Sequence, residues 1–191
     1  PKLYCSRTSY YNSECTKEIG ASNIHPKKPT FANALLQNIA GGNTIMMNKL
    51  ASQLVIKTLK AEKFISHDWW CYQIISGAGG EVIFDKKKTV RYRQHKYNLI
   101  GKNNGFEDIK SRILEFLLGK VKIWSDVNLK NLSNFRYLLT NENNEILENY
   151  LKARRSKNIF KKLNYYFKSG VFRQSNKESM VFTIGLILNM I

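Results

Sequence analysis

Asp68, in the run Ser66-His67-Asp68-Trp69-Trp70, is the residue best placed by type and context to move a proton. Ser66 is a good N-cap for a helix from about His67 to Ser76, which puts Asp68 in the first turn. There, unsatisfied N–H groups and the positive end of the helix dipole stabilise an anionic side chain. A carboxylate so held is a ready proton acceptor; the plainer alternative is that it only caps its helix. The two indoles beside it, Trp69 and Trp70, offer an apolar platform for the face of a sugar ring, against the alternative of packing in the core.

The surrounding pattern supplies the elements that must hold these residues. Pro1 to Pro29 is polar, rich in Ser, Asn and Lys with two prolines, and reads mostly as loop. Phe31 to Asn38 has helical periodicity and is broken at Gly41-Gly42, after which Asn43-Thr44-Ile45-Met46-Met47 reads as a buried strand. Asn48 caps a helix whose apolar positions are Leu50, Leu54, Val55 and Leu59. Gly77, Gly79 and Gly80 stop the Asp68 helix, and Val82-Ile83-Phe84 and Thr89-Val90-Arg91-Tyr92 read as two short strands around a basic turn from Asp85 to Lys88. A polar loop runs through Gly105. Beyond it the pattern is helical only, with Ile109, Ile113, Phe116 and Leu117 on one face and further helices at Leu129 to Leu139, Glu145 to Arg155 and Asn158 to Phe167. The expectation is an α/β part over residues 1–105 and a basic helical extension over residues 106–191.

Charge and cysteines narrow the function class. The chain of 191 residues carries a formal net charge of +17, and between Leu151 and Arg173 there are eight Lys or Arg and no acid. Such a field attracts polyanions: nucleic acid, an anionic membrane face, or phosphorylated substrates. Three cysteines, Cys5, Cys15 and Cys71, with no C-x-x-C pair argue against a disulfide framework and a cysteine zinc site, and fit a reducing cytoplasm. The apolar run Met180 to Ile191 is twelve residues long, short of the roughly 20 needed to cross a bilayer. The start at Pro1, without Met or signal peptide, reads as part of a longer protein. Gly77-Ala78-Gly79-Gly80 follows a helix instead of opening one, the wrong context for a phosphate loop, and His25 has no ligand-like neighbours.

Three elements in order, Gly42-Asn43-Thr44 through Asn48, then His67-Asp68-Trp69-Trp70, then Tyr92-Arg93-Gln94-His95 with Asn98 and Gly101, resemble the second half of bacterial family-2 glycosyltransferases of the rhamnosyltransferase-like type. The resemblance extends from Lys2-Leu3-Tyr4 to Gly170-Val171-Phe172-Arg173-Gln174, nearly the whole chain. It implies the C-terminal half of a GT-A type mixed-sheet fold followed by an all-helical extension. It also implies inverting transfer of a sugar from a nucleotide-diphosphate donor to a hydroxyl of a polysaccharide or lipid-linked acceptor, at the inner face of the plasma membrane. On this reading Asp68 is the base and Trp69 and Trp70 shape the acceptor site. Gly42 and Asn43 line the donor sugar, and Arg93 and His95 face the diphosphate, with His95 a metal ligand. Read without the resemblance, Gly41-Gly42 is a turn and Arg93 with His95 a surface loop of a basic protein.

The family's divalent metal, Mg or Mn, is held mainly by a D-x-D-type motif preceding the matched region. This sequence has none, and Glu14 and Glu18 do not fit, so that motif is expected upstream. Two rival readings are a nucleic-acid-binding protein and a non-catalytic membrane-surface module. The first draws on aromatics among bases, as in Lys161 to Lys168, but lacks a zinc-finger, RNP-like or helix-turn-helix pattern. The second is compatible with catalysis, the basic segment meeting anionic lipid while the apolar tail inserts shallowly.

Overall fold

A computed structural model describes residues 1–60, 63–95, 116 and 118–191. The elements, in order, are β1 (Lys2–Tyr11), β2 (Glu18–Ala21), α1 (Phe31–Ala34), β3 (Met46–Met47), α2 (Lys49–Ile56), α3 (His67–Gly77) and β4 (Glu81–Arg93). The helical part follows: α4 (Lys120–Asn134), a 3₁₀ turn (Arg136–Leu138), α5 (Asn141–Arg155), α6 (Ile159–Ser169) and α7 (Asn176–Ile187). The chain is thus a mixed α/β sheet region followed by helices.

β1 is the centre of a four-stranded sheet. β4 runs parallel to it along its whole length, from Lys2 opposite Glu81 to Tyr11 opposite Arg93. A strand has two edges, so β3, antiparallel at Leu3 and Tyr4, and β2, antiparallel at Ser9 to Tyr11, share the other one end to end. Between them the edge is closed by side chains. Ser6 N–H donates to Thr44 Oγ1 at 3.2 Å, and Thr8 N–H donates to Ser22 Oγ at 2.9 Å.

β1 corrects the reading of Pro1 to Pro29 as loop. Its buried positions include Ser6, Thr8 and Ser9 as well as Leu3 and Cys5, because a strand paired on both edges satisfies its backbone while small hydroxyl side chains fit the crowded interior. The two short strands predicted around Asp85 to Lys88 are one continuous strand. Ser6 pairs with Asp85, Arg7 with Lys88 and Thr8 with Val90, so the extra residues of β4 are absorbed as bulges and the basic residues ride on them. The strand predicted at Asn43 to Met47 shrinks to Met46–Met47, with Met46 68% exposed. Of the apolar positions expected in the following helix, Leu50 is exposed on α2, and Leu59 is exposed beyond its end at Ile56.

α3 is the central helix of the core. Every residue from Trp70 to Gly77 is buried, and Thr30 N–H donates to the Tyr72 hydroxyl at 3.1 Å. The helical part grips its end: Thr140 N–H donates to Gly77 O at 3.0 Å, and Asn143 Nδ2 donates to the same oxygen at 2.9 Å. Gly77 lets the two parts approach closely: a Cβ would lie 2.6 Å from Leu139 Cδ2 and 3.0 Å from the Phe31 ring, so both side chains would have to shift. Gln174, from the α6–α7 connection, donates through Nε2 to Asn33 Oδ1 at 3.1 Å, and the buried core runs on through Leu132, Leu147, Tyr150 and Leu186. The predicted boundary near Gly105 lies outside the described residues, as do Asn98, Gly101, Ile109, Ile113 and Leu117. Among the described residues, no helix is long and apolar enough to cross a membrane.

Cys5, Cys15 and Cys71 are all free thiols, the first and last buried and Cys15 exposed. Burial pushes the Cys5 thiol up to about 12 and the Cys71 thiol up to about 11, the nearby Asp68 charge adding to the second. A raised thiol pKa leaves little thiolate at neutral pH. At pH 8 a chromogenic disulfide reagent is therefore expected to titrate one thiol in the folded chain and all three in denaturant. Fast reaction of two or more thiols without denaturant would contradict the buried placement of Cys5 and Cys71.

Candidate active site

Asp68 sits in the first turn of α3, half-buried, and both its oxygens are engaged. The backbone N–H of Gly42 donates to Oδ2 at 3.1 Å and that of Trp69 donates to Oδ1 at 2.8 Å. Ser66 occupies the N-cap position with extended backbone but makes no side-chain capping bond, so Asp68 serves the exposed helix start. Each carboxylate oxygen accepts in roughly two lone-pair directions, so one N–H apiece leaves room for an incoming hydroxyl donor. The arrangement can orient a general base, and it can also serve as a helix cap.

The partner loop is built from residues the sequence singled out. Thr44 N–H and Thr44 Oγ1 both donate to Gly41 O, each at 2.9 Å, tightening Gly41 to Thr44 into a turn. Thr44 fastens that turn to β1 through Ser6, and Asn43 Nδ2 donates to Thr8 Oγ1 at 3.3 Å. Gly42 passes so close to α3 that a Cβ would lie 2.8 Å from His67 Nε2 and 3.5 Å from Asp68 Cβ. The structure thereby brings Gly42, Asn43, His67 and Asp68 together. Thr44 belongs to the motif itself, whereas Thr8, which holds Asn43, carries no distinctive spacing, and only the paired strand reveals it.

The tryptophans separate. Trp69 is half-buried, with Nε1 donating to Ala34 O at 2.7 Å. Trp70 is 2% exposed; its ring lies 5.4 Å from Phe64 and 6.0 Å from Phe135, and Nε1 donates to Thr58 Oγ1 at 2.8 Å. This corrects the expectation that Trp70 helps form an acceptor platform. The 100° step between neighbouring helix residues turns Trp70 inward when Trp69 lies at the margin, so Trp70 offers no face to a sugar.

Arg93 ends β4 opposite Tyr11, with His95 two residues on, both exposed. Thr8, which holds Asn43, pairs with Val90; Arg93 thus lies three residues beyond, about 10 Å along the strand. The pair stands where the parallel strands β1 and β4 both finish, the end of an open α/β sheet at which ligands bind. A groove of ≈ 450 Å³ lies beside Asn43, lined by Asn43, Thr44, Ile45 and Met46 and by Tyr4, Thr89 and Val90. Beside it, Tyr4 donates its hydroxyl proton to Asp85 Oδ2 at 2.9 Å; the Lys87 backbone N–H and then this bond hold the Asp85 carboxyl below the usual range.

Among the described residues, no group of three or more His, Cys, Asp or Glu could hold a metal ion. His95 by itself offers one imidazole, so these residues do not form a metal centre. His25 packs edge-on against Phe84 at 4.9 Å, and burial lowers its pKa, as suits a neutral ring at the core margin.

No protein-family model matches the chain, and neither a curated protein nor a solved structure matches it.

Proposed function

We propose that this chain is the acceptor-side portion of an inverting glycosyltransferase of the family-2, rhamnosyltransferase-like kind, with Asp68 as the general base. In this reading the α/β part is the C-terminal half of a GT-A type fold. The observation that carries it is the joining of Asp68 to the Gly42-Asn43 turn through the Gly42 N–H, which brings two of the three resembling motifs to one point. An acceptor hydroxyl gives its proton to Asp68 as its oxygen attacks the anomeric carbon of a nucleotide-diphosphate sugar. The new glycosidic C–O bond forms as the bond to the diphosphate breaks, and the nucleoside diphosphate leaves with the electron pair. Trp69 borders the acceptor, Gly42 and Asn43 border the donor sugar, and Arg93 and His95 face the diphosphate from the strand ends. A divalent metal, Mg or Mn, on the acidic motif expected upstream of this chain would supply charge neutralisation at the leaving diphosphate.

The test is release of nucleoside diphosphate from a panel of nucleotide sugars by the full-length protein, with and without a glycan or lipid-linked acceptor fraction. Acceptor-dependent release supports the reading. A flat response across the panel overturns it.

A second reading concerns the helical part. α6 exposes Phe160 and Phe167, 81% and 69% exposed and two turns apart, among the exposed Lys161 and Lys168. α7 exposes Met180 and Ile184, and its C-cap Leu188 follows at the same four-residue interval. Apolar side chains ringed by cations suit the face of an anionic membrane, where fully burying a Phe is worth about 1.5–3 kcal/mol. The Phe160→Glu/Phe167→Glu double variant is expected to lose at least about tenfold in co-sedimentation with phosphatidylglycerol vesicles, with its melting temperature little changed. Undiminished co-sedimentation would refute this surface.

A further inference from the structure

The helical part holds a second concavity, of ≈ 390 Å³, that shares no lining residue with the Asp68 site. Lys122, Asp126, Lys130 and Ser133 line it from α4, and their spacing of four, four and three places them on one helix face. Arg154 and Arg155 line it from the last turn of α5, and Asn189 and Ile191 close it. Lys122 Nζ donates to Asn189 O at 3.1 Å, tying the α4 wall to the closing segment. Four cationic side chains thus face a single carboxylate among the described lining residues.

That carboxylate is already engaged: Arg154 Nη2 meets Asp126 Oδ1 at 2.9 Å, while Arg154 Nη1 donates to Ser125 Oγ at 3.0 Å. The Arg154 side chain is only 8% exposed, and its buried Nε has no acceptor among the described residues. A desolvated guanidinium held by Asp126 and Ser125 keeps its charge fixed at the pocket wall. Behind Asn189 the buried Lys162 ammonium donates to Leu186 O at 3.0 Å and to Asn189 Oδ1. Burial and then the nearby Lys122 charge hold its pKa below the ordinary value, a sign of positive charge already crowded at this wall. Leu129, Leu151 and Ile191 add an apolar floor.

We propose that the pocket between α4, α5 and Asn189 to Ile191 binds a phosphate-bearing ligand, a phosphomonoester or diphosphate group. The phosphate takes the charges of Lys122, Lys130 and Arg155, with the Arg154 guanidinium beside them, and the ligand's less polar body rests on the floor. Phosphate suits the site better than a halide or single carboxylate because its several acceptor oxygens match a planar fork and separate ammonium groups together. The ligand is either free or presented as a lipid headgroup, since both offer the same oxygens.

The experiment uses the folded chain and two probes: sodium pyrophosphate in isothermal titration calorimetry, with sulfate and chloride controls at equal ionic strength, and phosphatidylcholine vesicles with or without phosphatidic acid. Lys130→Gln/Arg155→Gln alters two exposed residues of the pocket, and Lys57→Gln/Lys60→Gln removes the same charge elsewhere. Pyrophosphate binding that exceeds the sulfate control, weakened at least about tenfold by the first pair and less than about twofold by the second, supports a free phosphate ligand. Absence of pyrophosphate binding, with retention on phosphatidic acid vesicles that the first pair abolishes and the second preserves, supports the headgroup source. Binding to either probe that survives the first pair, equal loss in both pairs, or no binding to either probe overturns the proposal.

Discussion

Asp68→Asn is expected to lower acceptor-dependent sugar transfer by the full-length protein by about 10²–10⁴-fold, the range that a positioned general base supplies. The amide fills the same volume at the start of α3 but cannot take the acceptor's proton. It also has one oxygen where the carboxylate had two, so it can continue to receive the N–H of Gly42 or of Trp69 but not both. The half-buried position lets water serve the displaced N–H, so the stability cost should be about 1 kcal/mol, or roughly 2–4 °C in melting temperature for a chain of this size. A large fall in kcat with near-native melting and little change in KM for the nucleotide sugar is the expected signature of lost proton transfer. A variant keeping more than about a tenth of wild-type activity would reduce Asp68 to a helix cap.

Trp70→Ala is expected to act in the opposite way, on the fold and not on the chemistry. The indole fills space between Phe64 and Phe135, and its N–H satisfies Thr58 Oγ1 inside the core. Removing such a ring typically costs about 3–5 kcal/mol in transfer and cavity terms. The corresponding fall in melting temperature is roughly 6–20 °C, to be read by circular dichroism. Trp69→Ala should cost less stability, because its ring is only half-buried, and should instead weaken acceptor use. If Trp70→Ala left melting unchanged while abolishing transfer, the core placement of Trp70 would be wrong and the sugar-platform role would return.

The two variants separate what adjacent letters leave merged. The start and end of α3 were legible because they rest on local chemistry: Ser66 as N-cap, Asp68 in the first turn, glycines after Ser76. The caps Asn48 and Asn158 follow the same rule, and both accept a backbone N–H as an N-cap does. Periodicity gave the helical character of the second part but not its boundaries; α5 begins at Asn141, in what reads as a polar Asn-Glu-Asn-Asn turn, because Thr140 caps it. β1 was illegible because its interior carries Ser and Thr where a solvent-edged strand would alternate with apolar residues.

The sequence by itself determined which residues could do chemistry, where the helix bearing Asp68 begins, and that positive charge gathers in the second part. Those are consequences of residue type and spacing along a few turns of chain. Only the tertiary structure decided that Gly42 reaches Asp68, that Trp69 lies at the margin while Trp70 is buried, and that Lys122, Lys130, Arg154 and Arg155 surround one cavity. The reason is separation in sequence. Gly42 and Asp68 are 26 residues apart, and Arg154 meets Ser125 across 29, so each juxtaposition is set by how β1, α3, α4 and α5 pack, and no local pattern encodes it.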